Sequence, residues 1–255
     1  MAGPRLTFRG FVERAGELAQ LTGRAFAAIF RRPFEIDLWM AQMEQIGVRS
    51  LSVAGVTMLF TGMVLALQTA YSLPTLGVKF YIGSVVSKSL VRELGPVLTA
   101  LIVGGRIGAG MTAEIGTMKV TEQVEAMRSM AADPVRKLVV PKLVAALVML
   151  PALTVLGDAI GILGGLLVAV FQLNVPAATY INNMLQNLNL TDVASGLGKT
   201  FFFAYFITIV ACFNGLHTSG GADGVGRSTT RTVVTAAIMV LISDYFLTRL
   251  FIIVS

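Results

Sequence analysis

Cysteine and histidine are nearly absent from this chain: Cys212 and His217 are the single representatives of their kinds in 255 residues. One cysteine excludes an intramolecular disulfide. With one histidine beside it, neither a Cys/His metal cluster nor a Cys/His nucleophilic pair has residues to be built from. His217 stands beside glycines at the end of an apolar run and reads as a loop histidine, so Ser/His/Asp chemistry is not expected. Charge is also scarce. Charged residues are 13% of the chain and hydrophobic ones 55%, where a soluble domain carries about 25% charge. A secretory leader is not expected either, because the first 49 residues are charged and the first long apolar run starts only near Ser50.

What is present is a series of long apolar runs. About 20 consecutive apolar residues cross a bilayer as one helix. Such spans are read at 50–70, 89–113, 138–173, 196–216 and 233–254. The run 138–173 is roughly 54 Å of helix at 1.5 Å per residue, too long for one straight crossing. Pro151 and Asp158 interrupt it, so it is either one long kinked span or two short halves. Gly157, Gly161 and Gly165 repeat there every four residues, a spacing that allows close helix contact.

The polar segments divide the spans. Residues 1–49 carry seven arginines, Arg5, Arg9, Arg14, Arg24, Arg31, Arg32 and Arg49. Phe8, Val12, Ala15, Leu18, Thr22, Phe26 and Ile29 recur at helical spacing in the same segment. This is the pattern of an amphipathic helix lying in the membrane surface or packed on protein, and a second short helix is expected over 35–47. The organisation is thus an N-terminal interfacial segment 1–49 and a transmembrane domain 50–255, all-α. Short loops are expected around Pro74, Gly77 and Lys79 and over 217–231, and a polar stretch over 174–195. The net charge of +6 belongs to these segments and follows the positive-inside rule, not nucleic-acid binding. Five spans place residues 1–49, 114–137 and 217–231 together on the cytoplasmic side, with the N-terminus cytoplasmic. Six would put Arg227 and Arg231 outside.

Between Met118 and Met130, Val120, Val124, Met127 and Met130 lie at helical spacing among Glu122, Gln123, Glu125 and Arg128. This reads as a short amphipathic helix outside the bilayer. Two nucleotide-like motifs fail. Gly196–Thr200 ends like a phosphate loop, but the glycine required five positions before the Gly-Lys pair is Val193. Gly104–Gly110 lies inside a span, where glycines serve helix packing. No cofactor is expected on this chain. Charges at membrane depth are costly and are paired or functional. Arg92, Glu93, Arg106, Glu114, Asp158, Lys199 and Asp244 are the candidates, either as structural pairs or as contacts for a headgroup or an ion path.

Several segments together resemble the MlaE (YrbE-like) family of ABC permeases: Leu90–Pro96, Gly105–Ala109, Thr112–Met118, Thr121–Met127, Asp133-Pro134 and Gly226–Val234. The resemblance covers the chain from about residue 35 to its end. It implies a homodimeric permease in a bacterial inner membrane that moves phospholipid between inner and outer membranes. Two copies of a cytoplasmic ATPase would bind the ATP. A periplasmic MCE-domain protein and a small STAS-domain protein would be further partners. In that setting the helix 118–130 would dock in a groove of the ATPase, using Val120, Glu122, Gln123, Val124, Glu125, Met127, Arg128 and Met130. The lipid path would run past Leu65, Leu67, Gln68, Tyr71 and Leu73 of the first span and Leu94 and Val97 of the second. Arg92, with Glu93 beside it, would meet phosphate. Two rival readings are an ion-coupled secondary transporter using Asp158 and Asp244, and a scaffold subunit with no path.

Overall fold

The computed structural model describes residues 8–30, 35–72 and 81–254. Ten α-helices occur among them, and no strand. They are α1 (Phe8–Ile29), α2 (Ile36–Ile46), α3 (Leu51–Ser72), α4 (Ile82–Ser89), α5 (Gly95–Val120), α6 (Gln123–Ser129), α7 (Val140–Phe171), α8 (Ala177–Asn187), α9 (Leu190–Leu216) and α10 (Gly221–Val254). Five helical runs are long and apolar enough to cross a membrane: Ile36–Ser72, Ile82–Val120, Val135–Phe171, Leu190–Leu216 and Gly221–Ile253. The chain is a multi-pass, all-α membrane protein, with five spans among the described residues. In lipid every backbone N–H and C=O needs an internal partner, and the helix supplies one within a single segment.

One boundary differs from the sequence expectation, and two points left open by it are decided. The run 138–173 is one continuous helix with Pro151 inside it, not two halves. The expected loop 217–231 is short, because α10 already starts at Gly221 and absorbs Arg227 and Arg231. The polar stretch 174–195 holds α8 and the first turns of α9, which opens on a capping box between Asn189 and Asp192. Capping gives those polar side chains a helical use. The loop residues Pro74, Gly77 and Lys79 lie outside the described residues.

The segment α2–α3 runs alongside α7 in the same direction. Glycines set how close the two come: a Cβ at Gly62 would sit 1.8 Å from the Gly161 carbonyl oxygen, and one at Gly164 would sit 2.3 Å from that of Leu59. The predicted glycine repeat on α7 is therefore a helix contact. Helix α5 packs on α9, and both pack on α10. Thr112 donates to the Ala211 carbonyl at 3.0 Å and to Thr232 Oγ1 at 2.9 Å, and Asn214 donates to the same hydroxyl at 2.9 Å. That knot ties the three helices together inside the bundle, where hydroxyls otherwise lack partners.

Helix α1 packs on the bundle along its second half only. Leu21, Ala25 and Ala28 are buried, while Val12 and Phe26 of the expected stripe are exposed. The inward seam is thus shifted from the one read off the sequence. Thr22 and Tyr205 share a hydrogen bond of 2.9 Å, which fastens α1 to α9.

Candidate functional site

Proline shapes the first part of the site. Pro96 has no N–H to give to the carbonyl four residues back, that of Arg92. Residues Leu90–Leu94 just before it form a π-helical turn, and Gly95 N–H reaches back to Leu90. The Arg92 carbonyl instead accepts a hydrogen bond from Lys199 Nζ at 3.3 Å. A helix defect thus becomes an acceptor for a buried cation from another helix.

Lys199 is 1% exposed. It pairs with Glu93 from the π turn and, at 3.1 Å, with Asp244 of α10; its ammonium also donates to Thr248 Oγ1 at 2.6 Å. Glu93 and Asp244 share this one cation. Arg92 turns to a different partner, Asp192 at the start of α9, at 3.5 Å. Adjacent residues on a helix diverge by about 100°, which is why Arg92 and Glu93 serve different partners. Arg92, Glu93, Lys199 and Asp244, singled out as isolated charges, therefore belong to one network across α5, α9 and α10. Asp192 and Thr248 complete it. Neither was legible beforehand, since one sits in a polar stretch and the other is a neutral hydroxyl in an apolar span.

The remaining deep charges behave differently. Asp158 is buried, and its Oδ1 has no hydrogen-bond partner; it lies over Gly95, where a Cβ would meet that oxygen at 1.8 Å. Glu114 pairs at 2.6 Å with Lys142, which is 2% exposed and also donates to Gln42 at 3.2 Å. Lys142 had been hidden in an apparently apolar run. Arg106, read as either a structural pair or a headgroup or ion contact, has no carboxylate partner among the described residues. It donates instead to the Arg49 carbonyl and, at 3.2 Å, to Ser50 Oγ.

Of the expected lipid path, the structure gathers Leu65, Gln68 and Leu94 in one open groove of about 460 Å³ on the outer face of α3. Val56, Phe60 and Val64 share the groove and are exposed. They fell outside the expectation, which had covered only the last turns of the span. Leu94 links the groove to the π turn that carries Arg92 and Glu93. Leu67 packs into the chain's own core beside Met63, and Val97 packs against the cluster around Ala100 and Val103. Tyr71 is exposed, and Leu73 lies outside the described residues.

The expected helix 118–130 is divided. Val120 ends α5, and Thr121 and Glu122 make a turn in which Glu122 is left-handed at φ 61°. Only then does α6 begin. Val124 is fully buried in the chain's own cluster with Leu21, Ile115 and Leu143, and Met127 packs against it. Val124 is thus not part of an outward apolar face. Glu122, Gln123, Arg128 and Met130 are exposed. Glu125 pairs with Lys119, which holds its carboxyl below the usual carboxylate range. That pair pins α6 to the end of α5.

Comparison with known proteins agrees with this architecture. The family described as Permease MlaE matches residues 39–250. A probable ABC transporter permease protein of Rickettsia typhi is 43% identical over 240 residues, 94% of this chain and 93% of that one. A Synechocystis protein of the same description is 40% identical over 230 residues, 90% of this chain and 88% of its own. The intermembrane phospholipid transport system permease protein MlaE of Haemophilus influenzae is 39% identical over 229 residues, 88% of each chain.

Proposed function

Because the chain belongs to the MlaE family of ABC transporter permeases, we propose that it is the membrane subunit of a phospholipid transporter working between two membranes. A separate ATPase supplies the energy. The observation that carries this is the apolar groove on α3, joined through Leu94 to a turn bearing Arg92 and Glu93. Acyl chains need an apolar lining, and a phosphate headgroup needs a cation that can offer several donors; Arg92 meets Asp192 through one nitrogen at 3.5 Å and keeps 36% of its side chain exposed. The description of the Haemophilus relative points to the same cargo.

The carrier reading using Asp158 and Asp244 loses its footing on Asp244, which is engaged by Lys199. Family membership likewise favours a permease over a carrier or a scaffold. The ATPase docks on the exposed side of the 121–130 segment, where Glu122, Gln123, Arg128 and Met130 are free for a partner. Val124 and Met127 hold that segment to the membrane domain, so a push on it moves α5 and the core behind it. The chain works as a homodimer in the inner membrane, with residues 1–49 and α6 on the cytoplasmic side. An MCE-domain protein sits at the opposite end, and a STAS-domain protein attaches to the ATPase side. ATP is bound by the ATPase alone.

The test is reconstitution of the chain with the ATPase that co-purifies from its native membrane. ATP-dependent movement of labelled phospholipid is the expected result, lost in Arg128→Ala and Met130→Ala together through failed ATPase association. Flux driven by an ion gradient with the chain alone would overturn the reading.

A further inference from the structure

A polar cavity lies against the middle of α5, away from the Lys199 network. Its volume is about 270 Å³, and it opens between the α2–α3 junction and α5. Arg49, Arg106, Gln42, Gln45, Ser50 and Glu114 line it. Eleven residues of α5 separate Gly95 from Arg106, roughly 16 Å. Fourteen follow to Val120, roughly 21 Å. Arg106 is therefore at membrane depth, where an uncompensated guanidinium is costly.

The charges in this cavity do not cancel. Glu114 is neutralised by Lys142 from behind, and Arg49 and Arg106 have no carboxylate partner among the described residues. One nitrogen of Arg106, Nη1, is held by the Arg49 carbonyl and Ser50, which fixes the plane of the guanidinium. The other nitrogens keep their donors, and the guanidinium fork suits two oxygens of one tetrahedral anion. Ile46, Ile107 and Met111 supply an apolar wall beside these donors. A free inorganic anion gains nothing from such a wall, whereas a lipid covers it.

We propose that the Arg49–Arg106 cavity binds the phosphate of an anionic phospholipid from the leaflet on the α1/α6 side, as a site separate from the groove on α3. The inference stands on the chain's embedding in the membrane and not on the transport reading. Two positive charges without a carboxylate partner among the described residues favour a headgroup of net negative charge over a zwitterionic one. Gly110 gives an independent handle. It lines the cavity, and a Cβ there would meet nothing within 4 Å, so a larger side chain fills the space without displacing a neighbour.

Native mass spectrometry of the purified full chain tests this, with phosphatidylglycerol, phosphatidylcholine and inorganic phosphate as the three probes. One phosphatidylglycerol is expected to be retained per chain, in preference to phosphatidylcholine. Arg106→Gln and Gly110→Leu should each weaken it about tenfold, while Arg24→Gln, a change at an exposed α1 position outside both the cavity and the α3 groove, leaves it unchanged. The first variant removes charge and the second only fills space, and thermal melting of both shows whether the fold survives. Arg49→Gln replaces Arg106→Gln if the latter does not fold. Undiminished retention in both variants overturns the proposal. So does equal retention of phosphatidylcholine, or binding of inorganic phosphate that phosphatidylglycerol does not displace. Loss of a dimer in Arg106→Gln with lipid retention intact would also overturn it, by assigning the arginines to a carboxylate of a second copy. Transport need not be measured, so a failure here leaves the permease reading untouched, and the reverse holds too.

Discussion

Two groups of charges lie in the same apolar bundle under opposite conditions. At the α4/α8 end, Lys199 is closed in by Glu93, Asp244, Thr248 and the Arg92 carbonyl, and Arg92 is answered by Asp192. Against the middle of α5, Arg49 and Arg106 face a cavity with no carboxylate of their own. The first group is a network of paired charges that fastens three helices. The second is an unmet requirement for an anion. A charge at membrane depth thus says little until its partners are known: Lys199 and Arg106 look alike in sequence and differ completely in what they still need.

The largest effect expected from breaking this contrast is at Lys199. Lys199→Met leaves Glu93 and Asp244 facing each other in a buried site, at a cost of about 3–5 kcal/mol, the scale of removing one partner of a buried pair. A fall in melting temperature in detergent should show it. The triple change Lys199→Met, Glu93→Gln and Asp244→Asn should recover most of the loss. If Lys199→Met melts like the parent, the network does not hold the helices. Arg106→Gln, by contrast, should cost the lipid-free protein only about 1–2 kcal/mol, the scale of its hydrogen bonds to the Arg49 carbonyl and Ser50, and so give a smaller fall in melting temperature.

Gly62→Leu comes next. Its side chain would drive into the Gly161 carbonyl and separate α3 from α7, at a cost of about 1–3 kcal/mol or more, as for overpacking. Gly110→Leu is the matched control, because it meets open space. Equal losses in the two variants would show that packing on α5 and α3 is not as described.

The smallest effects are on the loop before α6. Glu122 is left-handed, so Glu122→Gly should stabilise or leave unchanged the isolated chain, within about 1 kcal/mol, and weaken ATPase association. A clear destabilisation of the isolated chain would argue against the strained turn. Glu125, with its carboxyl lowered by Lys119, gives a signed pH dependence. A carboxylate whose folded pKa is depressed contributes above its ordinary range and ceases to contribute as pH falls through the lowered value. Hydrogen exchange over 123–129 should therefore rise on acidification below the ordinary carboxylate range. Glu125→Gln should show the faster exchange already at neutral pH.

Part of the site was readable in advance. Arg92, Glu93, Lys199 and Asp244 stand out because a charge in an apolar run needs a reason. Their partners were not readable. Lys199 and Glu93 are 106 positions apart, and Lys142 and Glu114 are 28 apart; no local pattern reports either distance. Lys142 was concealed by the apolar residues around it, and Asp192 by a polar stretch that turned out to cap a helix. The segment 118–130 misled for a related reason. Its apolar spacing is real, but spacing does not say which surface the apolar face meets, and Val124 meets the chain's own core.

By itself the sequence determined five membrane-crossing helices, their approximate places and the family, because lipid forces backbone polar groups into helices and hydropathy is a local quantity. Which charges neutralise one another and which remain open was settled by how the helices pack. Those pairings depend on the register between helices. That register is set where glycines let two backbones touch and where Pro96 frees a carbonyl for a distant lysine.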